Sequence, residues 1–288
     1  MEDERLGEEE ELSIFDSLYR VYENVIFYVY LFFHRLGIFI NQSLFWRKSG
    51  SLDRTILLVG DGIADGIGDG LANGGLAARL AAMLAKEKDA NGLRLIWRVA
   101  SAGAFRAISD DWVPGADHPP DRVNGVRKSL FVDTFVDGMF KDAHVVLIFL
   151  GGQDELFSSQ PTDVQRTVNN LKLLALELEK LDKEVLISQI PAFSDDEAVK
   201  SRVYQRNRML REYISGSHEK KEHKSIECGP DVSTVSTQAG YFVESALDTW
   251  TLSSHGYRML TRLTFDALLN PCRRVEWAHW RPKLQRTM

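Results

Sequence analysis

Between Arg54 and Asn270, short apolar runs alternate with longer amphipathic stretches, and this alternation constrains the fold more than any other feature of the chain. Each run is bounded by Gly, Pro or charged residues, which is typical of buried strands in a parallel sheet. The predicted strands are Thr55–Val59, Leu93–Ala100, Val145–Leu150 and Glu184–Ile190. The predicted helices are Leu76–Lys88, Thr162–Leu181, Asp195–Ile214 and Ser254–Leu269. This order predicts an α/β fold, a three-layer αβα sandwich around a mainly parallel sheet.

The composition is that of an ordinary globular protein. The chain has 288 residues, 44% hydrophobic and 26% charged, which fits one main core with extensions. A formal net charge of -6 gives no overall attraction for nucleic acid, so we expect no nucleic-acid partner. Cys228 and Cys272 are too few for a disulfide framework or a cysteine-based zinc site, and neither a metal nor a cofactor is predicted. Residues 1–12 are acidic, unlike a signal peptide, so we expect no cleaved leader and an intracellular location.

Residues 13–50 are predicted to form a long apolar helix. Apolar residues recur there every three to four positions, at Ile14, Leu18, Val21, Val25, Val29, Phe32, Leu36 and Ile40. The unbroken apolar run, Val25–Phe33, is shorter than the roughly 18 residues that a bilayer span needs. Two alternatives therefore stay open: the helix packs on the domain or on a partner protein, or it inserts into a lipid bilayer. In either case Phe32, Arg35 and Trp46 are the predicted contact residues.

Two polar segments flank or interrupt the main domain, which we predict over residues 51–270. The segment Ser215–Ser236 has no apolar period and is predicted to be a surface loop. The tail, residues 271–288, combines several arginines with Trp277 and Trp280. Arg and Trp dominate the energetics of protein interfaces, so this tail is predicted either to bind a protein partner or to pack back on its own domain.

A glycine-rich turn is the sequence motif that is most informative about function. The first predicted strand leads directly into Gly60–Gly66, with the sequence GDGIADG, and a helix follows. The turn does not match the dinucleotide fingerprint G-x-G-x-x-G, because Asp65 occupies the third glycine position. It does not match a calcium loop either, because its aspartates are four residues apart and no Glu closes the loop.

The turn resembles the first conserved block of the SGNH (GDSL) hydrolases, which has the form strand, G-D-S-I-x-x-G, helix. The nucleophilic serine of that family falls on Gly62. Three further blocks are expected from the resemblance, and degraded versions of them follow in the family's order. They are Ala102–Ala104 around Gly103, Gly151–Asp154 with Gln153 in place of the asparagine, and Asp248–Tyr257 with Thr251 in place of the histidine. The resemblance implies the SGNH hydrolase fold, which is flavodoxin-like; another three-layer α/β fold is the alternative.

The same resemblance implies that the usual ester hydrolysis is lost. That reaction needs a hydroxyl nucleophile, a base and oxyanion donors. Gly62 offers no side chain, and Thr55 is the only hydroxyl side chain between Ser51 and Ser101. Thr251 cannot act as a general base, and the longer side chain of Gln153 displaces its amide donor. We therefore expect no catalytic residue at the family positions, which are Gly62, Gly103, Gln153, Asp248 and Thr251.

These observations predict a catalytically inactive SGNH-like protein that serves as a structural or interaction subunit of a larger assembly, with or without a membrane. A second hypothesis keeps the fold as a binding module. Its pocket would be lined by Asp61, Gly62, Gly103, Gln153, Asp154 and His255. A third hypothesis is an ester hydrolase with a non-standard active site, in which His255 compensates for the missing histidine.

Overall fold

A five-stranded parallel sheet forms the centre of the protein. The computed structural model describes residues 19, 21–37, 40, 52–69, 74–115, 129–158, 160–220, 225–236, 242–244 and 250–285. The strands are β1 (Asp53–Gly60), β2 (Ile96–Gly103), β3 (Val145–Phe149), β4 (Glu184–Ile187) and β5 (Ile226–Cys228). Their order in the sheet is β2-β1-β3-β4-β5. The order reverses between β1 and β3, and in open α/β sheets ligands bind at this point, beyond the carboxyl ends of the strands.

Helices cover both faces of the sheet. They are α1 (21–37), α2 (Gly62–Asp65), α3 (Gly75–Glu87), α4 (Asp154–Phe157), α5 (Val164–Lys180), α6 (Glu197–Lys220), α7 (Val232–Ser236) and α8 (Ser254–Gln285). The pair β6 (Phe242–Glu244) and β7 (Trp250–Leu252) is antiparallel. Across the described ranges, no helix combines the length and the apolarity needed to cross a bilayer.

The alternation of side chains along the strands creates two cores. On β1, Ile56 and Leu58 pack with α3 and α8, whereas Leu57 and Val59 pack with α5 and α6. Successive strand residues point to opposite faces, so a strand that is buried on both sides must be apolar throughout. All four of these side chains are fully buried. The predicted three-layer α/β architecture is therefore confirmed.

The last helix is longer than the predicted Ser254–Leu269, and the predicted start of the tail at residue 271 falls inside it. Pro271 lies within α8 although it lacks the N–H that would bond one turn back. Tertiary contacts hold this segment in place. The Glu276 carboxylate accepts hydrogen bonds from Arg94 N, Leu95 N and Trp97 Nε1, at 2.8–3.0 Å. Beyond Glu276, Trp277 is exposed, and Lys283 lies over the ring of Trp280.

Two other local predictions are corrected. The predicted loop Ser215–Ser236 is wrong in part, because α6 runs to Lys220 and the segment also contains β5 and α7. A strand of three residues in a polar stretch has no detectable period. The strand β2 begins at Ile96 rather than at Leu93, because Leu93 and Leu95 are buried in the connection that precedes it. Buried apolar connections and strands look alike in a sequence.

The N-terminal helix packs on the domain with a face that the periodicity did not select. Its inward side chains are Phe27, Tyr30, Leu31 and His34. Residues of the predicted apolar stripe, such as Val25, Val29 and Phe32, are instead exposed. The middle of the helix is apolar all round, so spacing alone could not identify the buried face. Trp46 lies outside the described residues.

Candidate functional site

The glycine turn forms a short capped helix at the carboxyl end of β1. Asp61 is the N-cap of α2, and its Oδ1 accepts a hydrogen bond of 2.9 Å from Ile63 N. Gly66 ends α2 in the left-handed conformation, with φ of 83°. Below the turn, the buried Tyr257 hydroxyl donates a 2.8 Å hydrogen bond to Ile67 O. Gly62, which the resemblance places at the nucleophile position, is thus fixed in a defined backbone geometry.

Asp61 is almost completely buried, with 1% of its surface exposed. Burial is the main cause that raises the pKa of its carboxyl group to about 7, and the nearby Asp154 raises it further. The hydrogen bond from Ile63 N acts in the opposite direction. The carboxyl group therefore exists in both protonation states near neutral pH.

The second block contacts the turn directly through Gly103. A methyl group at this position would lie 2.3 Å from Asp65 N and 2.8 Å from Asp61 O, so only glycine fits. The family resemblance implies that the N–H of this glycine would face the oxyanion in an active hydrolase. Here Gly103 N donates to Ser101 Oγ at 3.2 Å, and the Ser101 hydroxyl donates to Ala64 O at 2.6 Å.

The third block lies beside the turn, because Asp61 N donates a 2.9 Å hydrogen bond to Phe149 O at the end of β3. Asp154 accepts hydrogen bonds from Ser109 N, Ser109 Oγ and Thr167 Oγ1. Burial still raises the pKa of Asp154, although these bonds lower it. Gln153 is buried, and its Oε1 atom has no hydrogen-bond partner among the described residues.

The last block meets the turn from the other side. A methyl group at Gly68 would lie 2.9 Å from Thr251 Oγ1, so Thr251 sits against the loop that follows α2. His255 is exposed in the first turn of α8, and its Nδ1 lies 3.0 Å from an Arg258 guanidinium nitrogen. Asp248 lies outside the described residues.

Helix α1 packs on the domain, which was one of the expected alternatives, and it covers this edge, which no sequence pattern indicated. A methyl group on Gly62 would meet the Phe105 ring at 3.5 Å. The Phe27 ring of α1 lies over Phe105, with 5.6 Å between the ring centroids. The Tyr30 hydroxyl donates a 2.8 Å hydrogen bond to Asp69 O and accepts one from Gly68 N. The turn at Gly62, which the resemblance places at the nucleophile position, is therefore contacted by the Phe105 ring, and the Phe27 ring packs on Phe105.

A buried polar pair reinforces this contact. His34 Nε2 lies 2.6 Å from Asp65 O, and the His34 ring stacks on that of Tyr30. Burial raises the pKa of the Asp65 carboxyl group to about 6, while His34 and Arg35 act to lower it. His34 interrupts the apolar run of the helix, and this interruption was the one sequence signal that could have marked the contact face.

Comparisons with known proteins address the fold. No protein-family model matches the chain, and neither does any curated protein. Among solved structures, a lipase/acylhydrolase from Enterococcus faecalis matches with a TM-score of 0.53 and 19% identity, over 75% of this chain and 96% of that one. An acetylxylan esterase from Geobacillus stearothermophilus matches with a TM-score of 0.50 and 16% identity, over 76% and 94%. A psychrotrophic esterase from Pseudoalteromonas matches with a TM-score of 0.50 and 15% identity, over 75% and 97%.

The chain has the fold of the SGNH-type lipases and esterases. The prediction of this fold from four short motifs is confirmed.

The residues that match the SGNH motifs make contacts that hold the turn and its neighbours together. Asp61 caps a helix, and Gly103 permits close packing against the turn. Asp154 accepts hydrogen bonds from two other segments, and Tyr257 donates one to the loop that follows α2. None of these contacts requires a nucleophile at position 62. Within the described ranges, no cluster of three or more His, Cys, Asp or Glu residues could hold a metal ion.

Proposed function

We propose that this protein is a catalytically inactive SGNH hydrolase-like protein that acts as a structural or interaction subunit of a larger assembly. The observation that carries the proposal is the covered edge of the domain. Where relatives present a serine hydroxyl to substrate, this chain has Gly62 beneath Phe105, and Phe27 of α1 lies over Phe105. In this proposal, the N-terminal helix packs on the edge of the domain where relatives have their active site.

The chemistry of the site supports inactivity at each step of ester hydrolysis. Attack requires an oxygen or sulfur nucleophile, and Gly62 has none. Proton transfer at the family's base position requires a side chain that titrates near neutrality, and the Thr251 hydroxyl does not. Stabilisation of the oxyanion requires donors aimed at it, and the Gly103 N–H already bonds to Ser101 Oγ. Loss of one triad member typically reduces the rate by several orders of magnitude, and here two are replaced.

An ester assay tests inactivity. Wild-type protein is compared on short-chain esters with a boiled sample and with the variant Gly62→Ser, whose added Cβ would make only ordinary contacts, at 3.5 Å or more. We expect no turnover above background in the wild type. Turnover that disappears in an Asp248→Ala, His255→Ala double variant would refute the proposal and support the non-standard hydrolase.

Surface variants test the interaction role. The outward variant carries Val25→Ser, Val29→Ser and Phe32→Ser, all at exposed positions of α1. The control variant carries Val136→Ser, Met139→Ser and Tyr204→Ser, which are equally exposed but lie elsewhere. Native size measurements in cell extracts should show that the wild type and the control variant are in a large assembly and that the outward variant is not. The same small size for all three proteins would contradict the proposed role.

One observation favours a second candidate, a ligand-binding module. Gln153 Oε1 is buried at the family's oxyanion position, without a hydrogen-bond partner in the described part of the chain. A buried acceptor without a donor costs free energy, which a bound molecule with an N–H or O–H group would recover. If no ligand binds, Gln153→Leu should stabilise the protein. A retained small molecule in native mass spectrometry, together with destabilisation by Gln153→Leu, would favour the binding module.

A further inference from the structure

Exposed apolar side chains are concentrated on the N-terminal helix. Of the 22 large hydrophobic side chains that are exposed in the described residues, 11 lie between Tyr19 and Ile40. The other 11 are scattered from Leu52 to Leu284. Scattered apolar residues are normal on a protein surface, whereas a continuous patch indicates a binding surface. The concentration on α1 therefore requires an explanation of its own.

The exposed side chains form a half-cylinder. At about 100° per residue, the exposed positions from Tyr28 on one side to Ile26 on the other span roughly 160° of the helix circumference. Each of these side chains is about half exposed, so together they present on the order of 1,000 Å² of largely apolar surface. The largest apolar patch of a typical monomer is only about 300–600 Å².

The helix cannot rotate to hide this surface. Its opposite side is fixed to the domain by the hydrogen bond of Tyr30 to Asp69 O, by the contact of His34 with Asp65 O and by the packing of Phe27 on Phe105. Leu31 is also buried in this contact. The domain thus takes the place of the polar face that an amphipathic surface helix normally has.

The polar side chains of the half-cylinder lie away from its centre. Its centre, formed by Val25, Phe32 and Leu36, has no polar side-chain atom. One rim carries Tyr28 and the positive charge of Arg35, Tyr22 lies between the centre and the opposite edge, and Tyr19 and Glu23 follow beyond that edge. Among residues 21–37, no carboxylate lies within the arc. An apolar centre with tyrosine and arginine at the edge is the arrangement expected of a helix whose middle contacts acyl chains and whose rim meets phosphate headgroups.

The width of the surface favours a bilayer over a second copy of the chain. Two packed helices bury a stripe that is narrower than about 100°, so a helix pair would leave much of this arc exposed. A bilayer covers a half-cylinder completely. Half of a helix diameter of about 10–12 Å is 5–6 Å, which matches the depth of about 5–10 Å to which interfacial helices insert.

We infer that the outward half-cylinder of α1 inserts into the surface of a phospholipid bilayer and docks the SGNH-like domain on the membrane. The helix would lie parallel to the membrane plane, because its other half is attached to the domain. This inference deepens the proposed interaction role by naming the partner, and it does not depend on the loss of catalysis.

Vesicle flotation of the full-length protein tests the inference. Wild-type protein, the outward variant and the control variant are each mixed with phosphatidylcholine vesicles, with and without phosphatidylserine, and centrifuged through a density gradient. We expect the wild type and the control variant to float with both kinds of vesicle. The vesicle-bound fraction of the outward variant should fall more than about tenfold, since three side chains lose most of their transfer free energy. Circular dichroism establishes that both variants remain folded.

Two results would overturn the inference. One is a wild type that stays with the soluble fraction in every gradient. The other is a wild type that self-associates without lipid, becomes monomeric in the outward variant and does not float; this would assign the surface to a second copy of the chain. Neither result depends on the ester assay, so failure of the membrane inference and failure of the proposed inactivity are distinguishable.

Discussion

The buried carboxyl group of Asp61 predicts an unusual dependence of stability on pH. Its pKa is raised from 3.8 to about 7 in the folded protein, mainly by burial. Between these values the folded state holds a proton that the unfolded state releases. Stability is therefore greatest at low pH with respect to this group, and it falls as the pH rises through about 7.

The magnitude follows from the two pKa values. At about 1.36 kcal/mol per unit, the cost of Asp61 to the free energy of unfolding is roughly 1.5 kcal/mol at about pH 5 and about 4 kcal/mol at about pH 8. The variant Asp61→Asn retains an N-cap acceptor for Ile63 N but cannot ionise. Its stability relative to the wild type should therefore increase by about 2.5 kcal/mol between these two pH values.

Urea unfolding of both proteins across this pH range measures the difference. A pH-independent offset between the two curves reflects the exchange of an acid for an amide and does not affect the argument. A difference that stays constant with pH, or that shrinks as the pH rises, would show that Asp61 is ionised in the folded protein and would refute the argument from burial.

Three further predictions concern the residues that hold the SGNH scaffold. Gly103→Ala should destabilise the protein by about 3 kcal/mol or more in urea unfolding, because the added methyl group meets backbone that cannot move; Gly216→Ala, where the structure leaves space, is the matched control and should not destabilise. Tyr257→Phe removes the donor to Ile67 O and should cost about 1–2 kcal/mol by the same measurement; an unchanged midpoint would contradict this. Glu276→Gln should cost about 2 kcal/mol and speed amide hydrogen exchange in residues 271–285, whereas unchanged exchange there would show that the carboxylate does not hold this end of α8.

Much of the fold could be predicted because it rests on local patterns. The predicted strands correspond to β1–β4, and each starts or ends within three residues of its predicted position. The strand β5 was missed because its three residues lie in a polar stretch. The extension of α8 past Pro271 was missed because it depends on Glu276, whose partner Trp97 is 179 residues away in the chain.

At the candidate site too, some residues could be identified from the sequence and others could not. The sequence identified the turn at Gly62 and the three blocks that meet it, since each block has a short motif of its own. It did not identify Phe105 or Phe27, which belong to no motif and matter because their rings come together over the turn. Whether the predicted pocket residues act as a functional site stays a prediction.

The absence of a side chain at Gly62 was determined by the sequence alone, because no folding can place an attacking oxygen on that backbone position. Only the tertiary structure decided which face of α1 is buried. Its outward face is more apolar than its inward face, which includes Tyr30 and His34, so hydrophobicity alone points to the wrong face. The choice depends on partners such as Asp69, which is 39 residues away from Tyr30. Contacts of this kind leave no period in the sequence, because their energy exists only when distant segments meet.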